Sequence, residues 1–331
     1  MRPPAFWFTP PSRPGPAARA LAPLAAAYAA ATARRLARGR PLRLPVPVIC
    51  VGNINAGGTG KTPTVAALAQ RLAARGIAVH ILTRGHGGSD PGPLRVDDRR
   101  HDAARTGDEA LLHAAFAPTW VARDRAAGAT AALAAGAQAI LIDDGHQNPA
   151  LHKDLSLVVV DAARGFGNGR VLPAGPLREP PATGLARADM LLSLGDGPAQ
   201  AQFRGLWGPV IGALPHLTGR LVPLPTGMDW AGRRLFAVAG IGDPDKFFAT
   251  LRGLGADLAG CVALDDHQPI PPALLARLSA QARALGAQIV TTEKDAVRLP
   301  APDRAQVLTL PVRLQPDDWA PLDAALTRLG L

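Results

Sequence analysis

Val48-Ile49-Cys50-Val51-Gly52-Asn53-Ile54-Asn55-Ala56-Gly57-Gly58-Thr59-Gly60-Lys61-Thr62 reads as a short apolar strand that runs into a glycine loop and stops at Gly-Lys-Thr. Glycines at 57, 58 and 60 let successive backbone N–H groups close around phosphate oxygens. Lys61 supplies a compact positive charge, and the Thr62 hydroxyl offers a ligand to Mg²⁺. Val65, Leu68, Ala69 and Leu72 follow at helical spacing, Pro63 falls in a first turn where its missing N–H is tolerated, and Gly76 suits the position after a helix. Strand, loop and helix thus stand in the order a phosphate-binding loop requires. Only four of the 36 basic residues are lysines, yet a lysine occupies the place where a point charge must fit among phosphates.

Asn55 stands where the common pattern has a glycine. The loop therefore resembles the deviant loops of dethiobiotin synthetase-like and MinD-like proteins, with Ala56 in place of the lysine that those carry before the paired glycines. Asn55, Ala56, Gly57, Gly58, Thr59, Gly60, Lys61 and Thr62 are the expected nucleotide-binding residues.

Apolar strands are expected over residues 46–51, 77–83, 119–122, 139–142 and 155–161, separated by helical patterns. This alternation predicts an α/β fold, a P-loop NTPase-like parallel sheet covered by helices. Residues 164–181 are rich in glycine and proline, and 195–225 are weakly patterned. A second series follows, with strands at 235–239, 258–263, 288–292 and 307–310 and helices at 272–285 and 319–329. The expected organisation is an N-terminal membrane-interface segment with an amphipathic helix (1–40), a P-loop core (41–222) and a second, smaller α/β domain (223–331).

With 331 residues and 47% of them hydrophobic, the chain has ample material for two cores. A net charge of +10 implies an anionic partner, for which nucleic acid, acidic phospholipid and a phosphorylated substrate all qualify. The arginines are scattered and no nucleic-acid-binding motif is visible, so nucleic acid is not expected. Cys50 and Cys261 lie in apolar runs far apart, without metal-ligand spacing, and are expected to be buried thiols. Phe6, Trp7 and Phe8 precede a proline-rich stretch, and residues 20–33 run apolar before Arg34, Arg35, Arg38 and Arg40. That run is too short for a membrane span of ~20 residues. An interfacial helix with arginines on anionic lipid is the preferred reading, and a helix packed on the core is the alternative. A cleaved secretory signal fits poorly with an enzyme that needs cytosolic nucleotide.

Asp143 and Asp144 follow the strand at 139–142, where a phosphate-loop fold places a carboxylate near the metal. Asp108 and Glu109 open an apolar helix, where the helix dipole favours acids and where Asp108 can act as a general base. Arg84 and His86 lie in a glycine-rich turn after another strand, at the expected ligand face. His267 follows a strand of the second series.

Together these segments resemble the tetraacyldisaccharide 4′-kinase family of lipid A biosynthesis. The resemblance rests on Gly57-Gly58-Thr59-Gly60-Lys61-Thr62-Pro63, Gly107-Asp108-Glu109, Asp143-Asp144-Gly145, Arg164-Gly165-Phe166-Gly167-Asn168-Gly169 with Leu172-Pro173-Ala174-Gly175-Pro176-Leu177-Arg178-Glu179, and Thr292-Glu293-Lys294-Asp295-Ala296. It implies transfer of the ATP γ-phosphoryl group to the 4′-hydroxyl of an acylated glucosamine disaccharide 1-phosphate, at the cytoplasmic face of the bacterial inner membrane and against its anionic surface. Oligomerisation is not implied. By the same resemblance Lys61 and Thr62 serve phosphate and Mg²⁺, Asp143 and Asp144 the metal, Asp108 is the base with His267 as its partner, and Glu109 supports the metal. Arg84, His86, Asn168, Arg178 and Glu179 are then expected to face substrate. His86 stands where the family has tyrosine, and His146-Gln147-Asn148 and Asp265-Asp266-His267-Gln268 also depart from its pattern. A MinD-type assembly ATPase and a non-catalytic nucleotide switch are the competing classes, distinguished by the lack of a lipid acceptor.

Overall fold

The computed structural model describes residues 3–331. Its strands are β1 (Val48–Gly52), β2 (Val79–Thr83), β3 (Leu94–Arg95), β4 (Thr119–Val121), β5 (Ala139–Asp143), β6 (Leu155–Asp161), β7 (Met190–Leu194), β8 (His216–Pro223), β9 (Arg234–Ala239), β10 (Asp257–Ala263), β11 (Gln288–Thr292), β12 (Leu308–Leu310) and β13 (Val312–Pro316). Among the described residues, nine strands form one sheet in the order β13-β8-β7-β6-β1-β5-β2-β4-β3, and four form a second in the order β10-β9-β11-β12.

β1, β2, β5, β6 and β7 are buried at every position. Parallel strands covered by helices on both faces must be, which is why they read as nearly continuous apolar runs. Their side chains still alternate between two layers. Ile49, Val51, Leu141, Leu157 and Leu192 pack with Val65, Leu68 and Leu72 of the helix Lys61–Ala74 and with Leu322 and Leu326 of the helix Ala320–Arg328. Val48, Ile140 and Ile142 pack with Ala129 and Ala132, while Val158, Val160 and Leu191 meet Phe166, Phe203 and Trp207. β1 lies between β5 and β6, so its carboxyl end opens at the switch point of the sheet, where such folds place their ligands.

The second sheet is parallel throughout. Phe247, Phe248 and Leu251 pack on one of its faces, and Leu278 and Ala282 on the other.

The expected division at 223–331 is corrected by the end of the chain path. β13 returns to the first sheet and pairs antiparallel with β8, from Val312 opposite Pro223 to Pro316 opposite Gly219. The helix after it buries Leu322, Ala325 and Leu326 against the first sheet's core, and Arg71 of the helix Lys61–Ala74 and Arg75 just after it bind Asp323. β7 and β8 were not expected. Ser193 breaks the apolar run of β7, and Gly219 and Arg220 break the pattern of β8.

The N-terminal run is two helices, Pro16–Ala20 and Ala22–Ala37, joined at Leu21 and preceded by a single 3-10 turn at Ala5–Phe8. Ala25 packs into the first sheet's core beside Leu21 and Ala29, whereas Leu24 is 60% and Tyr28 40% exposed. The helix therefore docks by a narrow alanine stripe and turns its large apolar side chains outward. Among the described residues no helix is long and apolar enough to cross a membrane. Cys50 is buried, but Cys261 is exposed, a correction explained by its place on β10, an edge strand of the second sheet.

Because the C-terminal helix belongs to the first core, Leu326→Ala is expected to destabilise the protein by about 2–5 kcal/mol in urea unfolding. Leu285→Ala, at a 40% exposed position of the second sheet's layer, should stay within about 0.5 kcal/mol of wild type.

Candidate active site

The glycine loop is braced from outside and open within. Asn53 Nδ2 donates to the Gly57 carbonyl and to Thr59 Oγ1, both at 3.2 Å, and Gln147 Nε2 donates to the Asn53 carbonyl at 2.8 Å. Gly57 and Gly60 take φ values of +104° and +92°, and a Cβ on Gly60 would strike Leu194, so that position admits only glycine. Among the described residues, no backbone N–H from Gly57 to Gly60 has a protein acceptor, and the helix beginning at Lys61 adds its unpaired first-turn donors. Two expected members differ. The Ala56 N–H is engaged by the Pro176 carbonyl at 2.7 Å, and Asn55 Nδ2 donates to the Gly165 carbonyl at 2.9 Å. Both tie the loop to the segment 164–179.

Asp143 and Asp144 sit at the tip of β5, with Asp143 in register with Val51. Asp144 adopts φ +53°, and its carboxylate accepts from Arg178 at 2.9 Å and lies 3.6 Å from Lys61 Nζ. Partial burial works against its ionisation, but Lys61 and Arg178 outweigh burial and hold its pKa below the usual carboxylate value. Asp143 is fully enclosed. His113 Nε2 donates to its Oδ2 at 2.8 Å, while Asp143 Oδ1 and His113 Nδ1 are buried without partners among the described residues. His113 was not expected, because a lone histidine on an apolar helix face carries no spacing signal.

Asp108 begins the helix Asp108–Ala114. Its Oδ2 accepts from His267 Nδ1 and from Arg298 Nε, each at 2.9 Å, and its Oδ1 accepts from the Glu109 N–H at 2.8 Å. Burial alone would raise its pKa. The His267 hydrogen bond and the cations Lys294 and Arg298 reverse that and hold it far below the usual range. Lys294 Nζ lies 3.0 Å from His267 Nε2 and 3.4 Å from Glu109. Lys294 can only donate, so Nε2 accepts and the proton of His267 is on Nδ1. Glu109, expected beside the metal, is thus paired with Lys294. The left-handed backbone of His267, φ +59°, aims the ring across the gap between the sheets, where it also meets His86 at 5.4 Å between ring centroids. A Cβ on Gly107, at φ +83°, would collide with the His86 carbonyl, so glycine is needed to seat the turn against the helix start.

The motif at Thr292–Ala296 explains how this half is held. Thr292 caps its short helix, and Asp295 takes the Gly240 N–H at 3.0 Å and pairs with Arg298 at 2.9 Å. Lys294 and Arg298 are thereby fixed relative to the end of β9. Arg164 with Asp243 at 2.9 Å, and Lys246 with Asp161, join the sheets on the other side of the glycine loop.

Two expected substrate residues are corrected. Asn168 is 2% exposed; its side chain donates to the Phe6 and Ala174 carbonyls and accepts from the Arg170 N–H, so it folds its own loop. Glu179 is likewise 2% exposed and binds Gln147 and Arg187 at 2.9 and 2.8 Å. A long loop must satisfy its polar groups internally, and Asn168 and Glu179 Oε1 do that, while Glu179 Oε2 stays buried without a partner among the described residues. Arg84 makes no hydrogen bond or ion pair among the described residues.

The donor set fits a divalent cation held together with a nucleotide. Asp143 Oδ1 is an orphaned buried oxygen, and the Thr62 hydroxyl has no partner among the described residues. Among the described residues no group of three or more His, Cys, Asp or Glu could hold a metal alone. That suits Mg²⁺, which keeps waters and takes oxygens from phosphates.

The model of the tetraacyldisaccharide-1-P 4′-kinase family, LpxK, matches residues 17–330. The chain is 67% identical over 329 residues to the tetraacyldisaccharide 4′-kinase of Dinoroseobacter shibae, covering 99% of this chain and 98% of that protein. It is 61% identical to the one of a Jannaschia species, covering 99% of each. It is also similar to a crystal structure of LpxK from Aquifex aeolicus in complex with ATP, with a TM-score of 0.75 and 25% identity over 94% of this chain and 99% of that one.

The depressed pKa of Asp108 has a definite sign for stability. Its contribution is fully present above the ordinary carboxylate value of 3.8 and is lost as pH falls through the folded-state value. Asp108→Asn is therefore expected to be less stable than wild type by about 2–4 kcal/mol at pH 7. That gap should narrow steadily below about pH 4 in denaturant unfolding.

Proposed function

The chain belongs to the tetraacyldisaccharide 4′-kinase family and is an ATP-dependent lipid kinase that phosphorylates the 4′-hydroxyl of a tetraacylated glucosamine disaccharide 1-phosphate in lipid A biosynthesis, and from that premise we propose how its residues run the transfer. The free N–H groups from Gly57 to Thr62 and Lys61 bind the ATP phosphates. Thr62 and Asp143 would hold Mg²⁺, with Asp144 alongside. When bound, that ion neutralises charge on the moving phosphoryl group. Arg178 and Lys61 keep Asp144 ionised and oriented, and Arg84 and His86 stand at the acceptor side.

Asp108 orients the 4′-hydroxyl and takes its proton. The observation that carries this assignment is its hydrogen bond to His267 across the two sheets. His267 and Arg298 occupy Oδ2 and the Glu109 N–H takes one lone pair of Oδ1, which leaves the other for the hydroxyl. A carboxylate with so low a pKa is a weak base, so it serves first to align the nucleophile and receives the proton late. This suits a loose phosphoryl-transfer transition state, where positioning and charge do most of the work.

The cytoplasmic face of the inner membrane is the proposed place of work. Leu24 and Tyr28 point outward from the N-terminal helix. Beyond them Ala31, Arg34, Arg35, Arg38 and Gly39 line a depression of about 460 Å³, suited to anionic headgroups.

Transfer of labelled γ-phosphate to tetraacyldisaccharide 1-phosphate in detergent micelles tests the roles. Lys61→Ala and Asp108→Ala are each expected to lose at least about a hundredfold in kcat/KM. ATP hydrolysis that needs Lys61 but yields no labelled lipid would sink them in favour of an assembly ATPase. Replacing Arg34, Arg35 and Arg38 by glutamine should weaken sedimentation with anionic vesicles by about fivefold per arginine, with neutral vesicles unaffected.

A further inference from the structure

We propose that His113 is a positioning residue for the transfer: its Nε2–H pins Asp143 Oδ2 and so reserves Oδ1 for the divalent cation that accompanies ATP. The proposal rests on the reading of Asp143 as a metal carboxylate given above. The two side chains are 0% and 1% exposed and meet at 2.8 Å. His113 Nδ1 has no partner in that enclosure, so an imidazole there leaves one of its two nitrogens unmet, a penalty that leucine or phenylalanine would not incur. Among the described residues, the one hydrogen bond its side chain makes is the bond to Asp143. Without it Asp143 would keep two unpartnered buried oxygens and a carboxylate free to turn about its own axis. With it, one oxygen is fixed and the other is the orphan.

The placement adds a second reason. His113 lies in the last turn of the helix whose first residue is Asp108. Asp143 is anchored beside Val51 at the mouth of the glycine loop. One short helix therefore carries the acceptor's base at one end and the strut of the metal carboxylate at the other. Partners one step removed from a metal commonly hold its ligands in this way.

The test uses Mn²⁺ with ATP and the full chain, read as Mn²⁺ affinity of the enzyme–ATP complex by electron paramagnetic resonance. His113→Gln places an amide N–H near the position of Nε2, and His113→Asn ends near Nδ1, short of the carboxylate. The expected result is a loss of about tenfold or more in Mn²⁺ affinity for His113→Asn, and of no more than about threefold for His113→Gln. ATP affinity in EDTA should be equal in both, which also shows that both fold. In an Asp143→Asn background the difference between the two should vanish. Equal Mn²⁺ affinity in the two variants, or a difference that persists in that background, overturns the proposal. Unchanged affinity in Asp143→Asn with His113 intact would instead remove the metal role of Asp143 and the proposal with it.

Discussion

Asp108 meets His267 and Arg298 where the two sheets face one another, and that contact sets how the two halves of the site are aligned. The glycine loop, Asp143 and Asp144 belong to the first sheet, while His267, Lys294 and Arg298 belong to the second. Two carboxylates at the start of one helix, Asp108 and Glu109, face an imidazole and two cations. Ion pairs on an exposed surface contribute little, but here Asp108 and Arg298 are 4% and 7% exposed, so losing one partner would leave the other charged and enclosed. These contacts hold the second sheet over the loop, together with the Arg164–Asp243 and Lys246–Asp161 pairs.

Lysine usage follows the same logic. Arginine supplies nearly all the positive charge, and its fixed fork suits the bracing contacts at Arg71, Arg164, Arg178 and Arg298. The four lysines sit around the crevice. Lys61 faces Asp144, Lys153 donates to the His146 and Asn148 carbonyls in the turn after Asp144, Lys246 binds Asp161, and Lys294 caps His267. A small, rotatable ammonium can shift between a carboxylate and a phosphate with little rearrangement.

What was legible in the sequence was local. Residues 155–161 and 288–292 have the observed strand bounds because parallel strands write themselves as apolar runs, and the strand, loop and helix around Lys61 need no distant partner. The return of β13 was not legible, since four residues between Pro311 and Pro316 look alike in either sheet. Asp108 and His267 lie 159 positions apart and no spacing rule joins them; the family resemblance did. Asn168 and Glu179 misled because polar residues in a long loop read as ligand-facing, although such loops must also satisfy themselves. His113 went unseen for the opposite reason, as a polar residue among apolar neighbours.

The antiparallel closure of β8 by β13 bears on the order of assembly during synthesis. Every residue of the second sheet is translated between these two strands. Until it has emerged, β8 presents an unpaired edge, and Leu157, Leu192 and Leu217 lack the cover of Leu314, Leu322 and Leu326. The nucleotide-binding sheet begins first and is completed last. A nascent chain that already displays the glycine loop is still an open-edged intermediate, and the whole second sheet must be synthesised before the first can be sealed.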